Sequence, residues 1–260
     1  MARTGLGRLA LLMGVAVPAQ IMGPVGIMGP IQIMGPAHAV VGGEPAPEAA
    51  SHAVMVLSSN GGVCTGVVVA PGAVLTAGHC LAPRLVHRVH YKDAAGAPVL
   101  AEPAAQAVHP GYDAGAIAGR RRSIDLALVR LAVPLPAPFV PATLSAAMPR
   151  AGETLTVSGY GVARPGDPRS TGTYRQAGVP VVEPYGPSRI LVWLRGAKGS
   201  GACQGDSGGP VTAEAGVVAV AAWVGGACGG LSQGVLLGPQ RAWIDATLAG
   251  WGLAARWDRP

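Results

Sequence analysis

Short apolar runs rich in valine recur along this chain, and turns rich in glycine and proline separate them. Such runs are Ala53–Leu57, Val63–Val69, Leu126–Leu131, Thr154–Val157, Ile190–Leu194, Val217–Trp223 and Val235–Leu237. Several of them stand roughly ten to twenty residues apart, a spacing typical of antiparallel all-β proteins. The pattern therefore predicts a protein built mainly from short β-strands.

One helical pattern stands out near the end of the chain. Its residues recur at steps of three and four: Trp243, Ile244, Thr247, Leu248 and Trp251. This spacing places them on one face of a helix. A proline-rich stretch over residues 134–149 interrupts the strand pattern near the middle of the chain. We interpret this stretch as a linker between two halves of similar size.

The first 39 residues have the pattern of an export signal. Two arginines precede an uncharged stretch, and its most apolar part, Leu9–Val17, has the length of a signal-peptide core. Prolines interrupt the stretch repeatedly, which disfavours the alternative of a retained membrane-spanning helix. Small residues mark two cleavage sites, after Ala19 and after Ala39, and use of the first leaves residues 20–39 as a short propeptide. We therefore predict secretion without stable membrane association.

Composition narrows the classes of protein to consider. The chain has 260 residues, of which 50% are hydrophobic and only 12% are charged, which excludes a disordered chain or a long coiled coil. The formal net charge is +6, carried almost entirely by arginine. The basic residues form no dense stripe with interleaved aromatic residues, so we expect no binding to nucleic acid.

The cysteines indicate an oxidising compartment. There are 4 of them: Cys64, Cys80, Cys203 and Cys228. An even number behind an export signal predicts disulfides, and the sequence alone does not choose among the pairings. Pairing of neighbours, Cys64 with Cys80 and Cys203 with Cys228, would close two modest loops. We expect no metal site, because the chain has no Cys-x-x-Cys pair and no histidine cluster at ligand spacing.

Three motifs carry the residue types that acyl transfer needs. In Gly205–Pro210, glycines flank Ser207, so its hydroxyl can be exposed on a tight turn beside backbone N–H groups that point at one spot. His79 follows an apolar run and precedes Cys80. Asp125 stands before another apolar run, where its burial would require a partner such as an imidazole N–H.

At these motifs the sequence resembles the trypsin-like, chymotrypsin-fold serine proteases, and in particular their secreted bacterial members. Further matches are Val40–Gly43, Ser158–Gly161 and Trp223. The order His, Asp, Ser along the chain is also the order of that family. The resemblance implies an all-β fold of two six-stranded antiparallel β-barrels, over residues 40–145 and 146–260, with a C-terminal α-helix and the site in the cleft between the barrels.

The resemblance also implies a role for each motif in peptide-bond hydrolysis. Ser207 would attack the scissile carbonyl, His79 would take and return the proton, and Asp125 would hold the imidazole. The backbone N–H groups of Gly205 and Ser207 would form the oxyanion hole. These roles predict an acyl-enzyme mechanism that needs no cofactor.

The same resemblance makes the cleavage after Ala39 significant. A freed α-amino group at Val40 would fold inward and pair with the carboxylate of Asp206, next to the serine. Because a buried carboxylate without a partner is costly, the oxyanion hole would form properly only after this amine is freed.

Substrate preference follows from three further positions. The resemblance places Gly201 at the floor of the primary specificity pocket, and Val224 and Gly234 on its walls. An uncharged pocket narrowed by valine favours small or medium apolar residues such as Ala, Val or Leu. Ala222 departs from the serine that is common in the family, which removes one support from Asp125.

We therefore expect a secreted serine endopeptidase that acts as a monomer on protein or peptide substrates, with a proteinaceous inhibitor as a candidate partner. The alternative is a catalytically silent relative that serves as a secreted binding module. The presence of His79, Asp125, Ser207 and Gly205 together favours the enzyme.

Overall fold

The valine-rich runs form the strands of two β-sheets. The computed structural model describes residues 40–119 and 121–259. The strands in these residues are β1 (Glu44–Pro45), β2 (Ala53–Ser58), β3 (Val63–Ala70), β4 (Ala73–Thr76), β5 (His87–Lys92), β6 (Pro98–Ala101), β7 (Pro103–Val108), β8 (Ala127–Leu131), β9 (Thr143–Leu144), β10 (Thr154–Gly159), β11 (Arg175–Val182), β12 (Leu191–Leu194), β13 (Pro210–Ala213), β14 (Gly216–Gly225), β15 (Leu231–Leu236) and β16 (Arg256–Trp257).

Helical structure is sparse in the same residues. Helix α1 spans Arg241–Gly250, where the helical spacing predicted it. Its Ile244 and Leu248 are fully buried, as expected for the apolar face of an amphipathic helix. Short 3₁₀ turns lie at Ala49–His52, Gly78–Leu81, Pro168–Ser170, Ala197–Gly199 and Gly238–Gln240.

The C-terminal sheet closes on itself. Its strands follow the order β13-β10-β11-β12-β15-β14, and β14 pairs again with β13, which completes a ring of six antiparallel strands. Closure leaves no unpaired edge within the ring, and a barrel of this size is filled by side chains. Strand β1 pairs with β11 from outside the ring, and β9 and β16 add parallel pairings beside β14.

The N-terminal sheet is a half-barrel. It has seven antiparallel strands in the order β6-β5-β2-β3-β4-β8-β7. The two edge strands, β6 and β7, are consecutive in the sequence, with only Glu102 between them. Strand β3 is buried along almost its whole length, because the sheet packs its inner face and the C-terminal barrel covers part of the strand.

The predicted fold class is confirmed: the chain is mostly β, with a closed six-stranded barrel, a half-barrel and a C-terminal helix. One apolar cluster combines residues of both sheets with the helix, including Leu75, Leu128, Leu144 and Leu248. Since this core crosses between the halves, the domain boundary proposed at residue 145 stays a prediction.

The end of the chain fastens the helix to the linker. Trp257 donates its indole N–H to Asp245 of α1 at 2.8 Å. Asp258 accepts a hydrogen bond from the Ser145 hydroxyl at 2.7 Å, and β16 pairs with β9 in the same stretch. The proline-rich linker is therefore held by contacts on both of its sides.

The cysteines pair with their neighbours in the sequence. Cys64 is bonded to Cys80, and Cys203 to Cys228. Within the described part of the chain, no helix is both long and apolar enough to cross a bilayer. The signal peptide and both cleavage sites predicted in residues 1–39 lie outside the described residues.

Candidate active site

His79 and Asp125 meet because their strands are neighbours. Strands β4 and β8 are paired antiparallel with Thr76 opposite Ala127, so the end of one lies beside the start of the other. His79 lies in the 3₁₀ turn that follows β4, and Asp125 lies two residues before β8. Strand pairing therefore brings together two residues that are far apart in the sequence.

The contact between these two residues is double. The His79 backbone N–H donates to Asp125 Oδ1 at 2.8 Å, and His79 Nδ1 donates to Oδ2 at 2.7 Å. The His79 side chain is 37% exposed and that of Asp125 is 13% exposed. Because Nδ1 carries the donated proton, Nε2 is the ring nitrogen that can accept another.

Glycine at position 78 allows this approach. A Cβ there would lie 3.1 Å from Asp125 Oδ1 and 3.1 Å from Tyr112 Cγ. Both neighbours would have to shift by a few tenths of an ångström, which would disturb the contact between the carboxylate and His79. We conclude that Gly78 preserves the geometry of the His79–Asp125 pair.

Ser207 lies on a turn that is fixed between the two sheets. Its carbonyl accepts a hydrogen bond from the Thr65 N–H of β3 at 2.8 Å, and the Gly208 N–H donates to the Ala221 carbonyl of β14 at 2.7 Å. Gly208 has φ +82°, and a Cβ there would collide with Thr65 O and Thr76 Oγ1. The turn therefore requires glycine after the serine.

One cavity of about 260 Å³ contains all three residues. His79, Asp125 and Ser207 line it together with Trp223 and Val224. The cavity lies at the junction of the half-barrel, which supplies His79 and Asp125, and the closed barrel, which supplies Trp223 and Val224. The structure thus brings together the histidine, the aspartate and the serine that the motifs singled out.

Comparison with known proteins identifies the family of the chain. The family model described as Trypsin matches residues 40–242. The chain belongs to the trypsin family of serine proteases. Among curated members, human kallikrein-8 is 28% identical over 178 residues, which cover 64% of this chain and 68% of the kallikrein. A trypsin-like protease of Streptomyces glaucescens is 31% identical over 189 residues, 66% of each chain.

Solved structures show the same fold. Mouse neuropsin, a serine protease of the limbic system, superposes with a TM-score of 0.69 at 23% identity, over 80% of this chain and 99% of neuropsin. Human heparin binding protein superposes with a TM-score of 0.67 at 24% identity, over 80% of this chain and 96% of that protein. The match supports the chymotrypsin fold for this trypsin-family chain.

Next to the serine, Asp206 is fully buried. Its Oδ1 accepts the Gly161 N–H and its Oδ2 accepts the Cys203 N–H, each at 2.8 Å. Burial outweighs these two hydrogen bonds and raises the pKa of Asp206 to about 7. Among the described residues, no cationic side chain forms an ion pair with this carboxylate.

Val40 lies near the start of the family match and is itself fully buried. The next residue, Val41, forms a β-bridge with Gly201 and accepts its N–H at 2.9 Å. This bridge directs the start of the trypsin-like segment into the C-terminal half of the protein.

Of the three residues predicted to form the specificity pocket, one lines this cavity and two do not. Val224 lines the cavity of the catalytic candidates, as do Ala222 and Gln204. Gly201 and Gly234 are both buried and are not among the residues that line it. Gly234 lies in β15 between Val192 of β12 and Ala221 of β14.

Sequence reasoning missed Tyr112 and Thr65. Tyr112 lines the cavity, and burial together with the nearby Asp125 carboxylate raises its pKa. It belongs to an irregular loop with no periodic signal. Thr65 contacts the serine turn, and its only signal was a lone polar residue within an apolar run.

A cluster of His79 with Cys64 and Cys80 has its potential ligand atoms within 4.8 Å of one another. Both sulfurs belong to a disulfide and have no thiolate to offer a metal ion. The cluster is therefore explained by the disulfide that anchors the histidine turn.

Proposed function

We propose that this trypsin-family chain is a secreted serine endopeptidase that cleaves protein and peptide substrates through an acyl-enzyme. The observation that carries the proposal is the double hydrogen bond between His79 and Asp125 at a cavity that also contains Ser207. The two disulfides fit a protein of an oxidising extracellular compartment.

In this mechanism the Ser207 hydroxyl transfers its proton to His79 Nε2 as its oxygen attacks the scissile carbonyl. The N–H groups of Gly205 and Ser207 stabilise the resulting oxyanion. His79 then returns the proton to the leaving amine, and Asp125 stabilises the imidazolium in between. A water molecule repeats the sequence to release the acyl group and restore Ser207.

Activation by cleavage after Ala39 is a further part of the proposal, and the burial of Val40 and Asp206 supports it. Cleavage after Ala39 would create an α-ammonium group on Val40, which we propose pairs with the Asp206 carboxylate. Pairing compensates a charge that is otherwise buried with only two N–H donors. This ion pair would then hold the Gly205–Ser207 turn in the geometry of the oxyanion hole.

Labelling with a fluorophosphonate tests this proposal on the chain that begins at Val40. Such a probe reacts with a serine whose hydroxyl is activated and lies beside an oxyanion hole. We expect one label per chain, attached to Ser207, and none in Ser207→Ala. A folded parent chain that takes no label would overturn the enzyme proposal and favour the catalytically silent binding module.

Cleavage after small or medium apolar residues is the second part of the proposal. It rests on Val224, which lines the cavity beside Ser207. We predict that Val224→Gly raises the ratio of kcat/KM for peptides with Phe before the scissile bond to kcat/KM for those with Ala about tenfold, because the wider pocket admits the larger side chain. Val224→Ala should give an intermediate ratio, and dominant cleavage by the parent after Arg or Lys would refute this assignment.

A further inference from the structure

A groove with an aromatic floor continues the catalytic cavity. It has a volume of about 650 Å³, and we call it the aromatic groove: Tyr185, Trp193, Trp223 and Gln233 on one side, Arg121 and Arg122 on the other. Trp223 and Gln233 also line the cavity that contains Ser207. A substrate in that cavity can therefore extend into the groove without leaving the protein surface.

The floor of the groove is built by strand register. Gln233 of β15 is paired with Trp193 of β12 on one side and with Trp223 of β14 on the other. The two indole rings are 6.2 Å apart edge to face, and Tyr185 packs at 5.0 Å on Trp193. Tyr185 is nevertheless 74% exposed, so this apolar floor is open to a ligand.

The charge on the opposite side is positive. The Arg121 guanidinium already has an anionic partner, because it donates two hydrogen bonds to Asp113 Oδ2. Arg122 is exposed and has no ion pair among the residues that the structure describes. The groove has no aspartate or glutamate in its lining, so nothing within it offsets the Arg122 guanidinium.

We propose that the aromatic groove binds a glutamate side chain of the substrate, N-terminal to the scissile bond, and that Arg122 determines this preference. The methylene groups would lie on the indoles, while the carboxylate accepts hydrogen bonds from the Arg122 guanidinium and the Gln233 amide. The inference rests on the proposed endopeptidase function. The first residue before the bond is the one that we place against Val224. Successive side chains of an extended peptide point to opposite faces, so the second or fourth residue before the bond enters the groove.

Peptides that differ only in the position of one glutamate test the inference. We expect kcat/KM on the order of fivefold higher for Glu than for Gln at the second or fourth position, and lower again for Lys. Arg122→Gln should abolish the preference, so that the Glu and Gln peptides are cleaved with equal kcat/KM. Arg150→Gln, which removes the same charge from an exposed site outside the groove, should keep it.

Binding to Ser207→Ala separates this inference from the proposed function. Titration followed by tryptophan fluorescence should show tighter binding of the Glu peptide than of the Gln peptide, and Arg122→Gln in that background should equalise the two. A glutamate preference that is the same at every position, or that survives Arg122→Gln, would overturn the subsite. Failure of the endopeptidase proposal would instead appear as absent hydrolysis with this binding difference intact.

A second observation, independent of the groove, concerns the buried Thr65 on β3. Its hydroxyl donates to the Gly205 carbonyl at 2.8 Å and accepts the Tyr160 N–H at 3.0 Å, while its own N–H donates to the Ser207 carbonyl at 2.8 Å. Thr65 therefore holds both ends of the Gly205–Ser207 turn from the opposite sheet.

We infer that Thr65 is a positioning residue for the oxyanion hole, given the proposed function. Its hydroxyl fixes the Gly205–Asp206 peptide through the Gly205 carbonyl, and its backbone N–H fixes the Ser207 carbonyl. Thr65 therefore holds both residues that would supply the N–H groups of the oxyanion hole. Thr65→Val keeps the shape of the side chain and removes the hydroxyl, which leaves the Gly205 carbonyl and the Tyr160 N–H without this partner.

The variant should lower kcat on the order of tenfold to a hundredfold with little change in KM, because an oxyanion hole acts in the transition state. A peptide boronate, whose tetrahedral adduct places an oxygen in the hole, should bind more weakly by the same factor. Thr65→Ser should restore most of both. A merely structural role would lower the melting temperature and leave kcat and boronate affinity unchanged at low temperature, which would overturn the inference.

Discussion

Replacing Ser207 with alanine is expected to lower kcat about 10⁶-fold in the chain that begins at Val40. The physical reason is that the acyl-enzyme cannot form without the hydroxyl, and the remaining oxyanion donors act only on attack by water. Steady-state hydrolysis of a peptide substrate with an apolar residue before the scissile bond measures the effect. Circular dichroism should show an unchanged fold, since Ser207 contributes its backbone to the turn and its side chain to the cavity.

His79→Ala and the double variant make this prediction specific. Because the serine and the histidine act as one unit, each single variant and the double variant should have nearly the same residual rate. Losses that multiply in the double variant would mean that His79 and Ser207 act independently. That result would contradict proton transfer between them even if both variants were slow.

Freeing Val40 is expected to increase the free energy of unfolding at pH 7 by up to about 4 kcal/mol relative to the chain that carries residues 1–39, since one pKa unit corresponds to about 1.4 kcal/mol and burial of the ammonium group offsets part of the gain. In that longer chain the pKa of Asp206 is raised from 3.8 to about 7 by burial. Because the folded state keeps Asp206 protonated up to a higher pH than the unfolded state does, the longer chain has its full stability below pH 4. It loses stability as the pH rises to 7. A Val40 ammonium group would pair with the carboxylate and lower this pKa, which removes the loss at neutral pH.

Urea unfolding of both chains between pH 4 and pH 7 measures the effect. The difference in unfolding free energy should be largest at pH 7 and shrink towards pH 4. The other titratable groups from residue 41 onward are the same in both chains and cancel in the comparison. His38, which only the longer chain carries, contributes equally to the comparison of the parent chains and to that of the Asp206→Asn chains. Asp206→Asn in both chains should remove the pH dependence of the difference. Equal stabilities at pH 7 would contradict the ion pair.

Local sequence pattern located the buried strands well. The apolar runs predicted β2, β3, β8 and β14 to within about two residues at each end. Each of these strands is largely buried, so nearly every position had to be apolar. The same reasoning predicted α1, because its buried residues repeat at helical spacing.

The hydrophobic pattern did not predict the less buried strands. Strand β5 contains two histidines, an arginine and a lysine, and β7 alternates between half-buried and exposed positions. The start of β15 was missed because Ser232, Gln233 and Gly234 interrupt the apolar pattern. Such strands are defined by hydrogen bonds to distant partners, which local composition does not report.

For the site, the sequence by itself determined the chemistry: Ser207 among glycines, His79 beside a cysteine and Asp125 before an apolar strand. Only the tertiary structure decided their geometry, through the register of β4 with β8 and the hydrogen bonds of Thr65 to the serine turn. It also decided that Trp193, Gln233 and Trp223 lie side by side. The reason is physical: residue type is a local property, whereas register and closure depend on packing between strands that are distant in the chain.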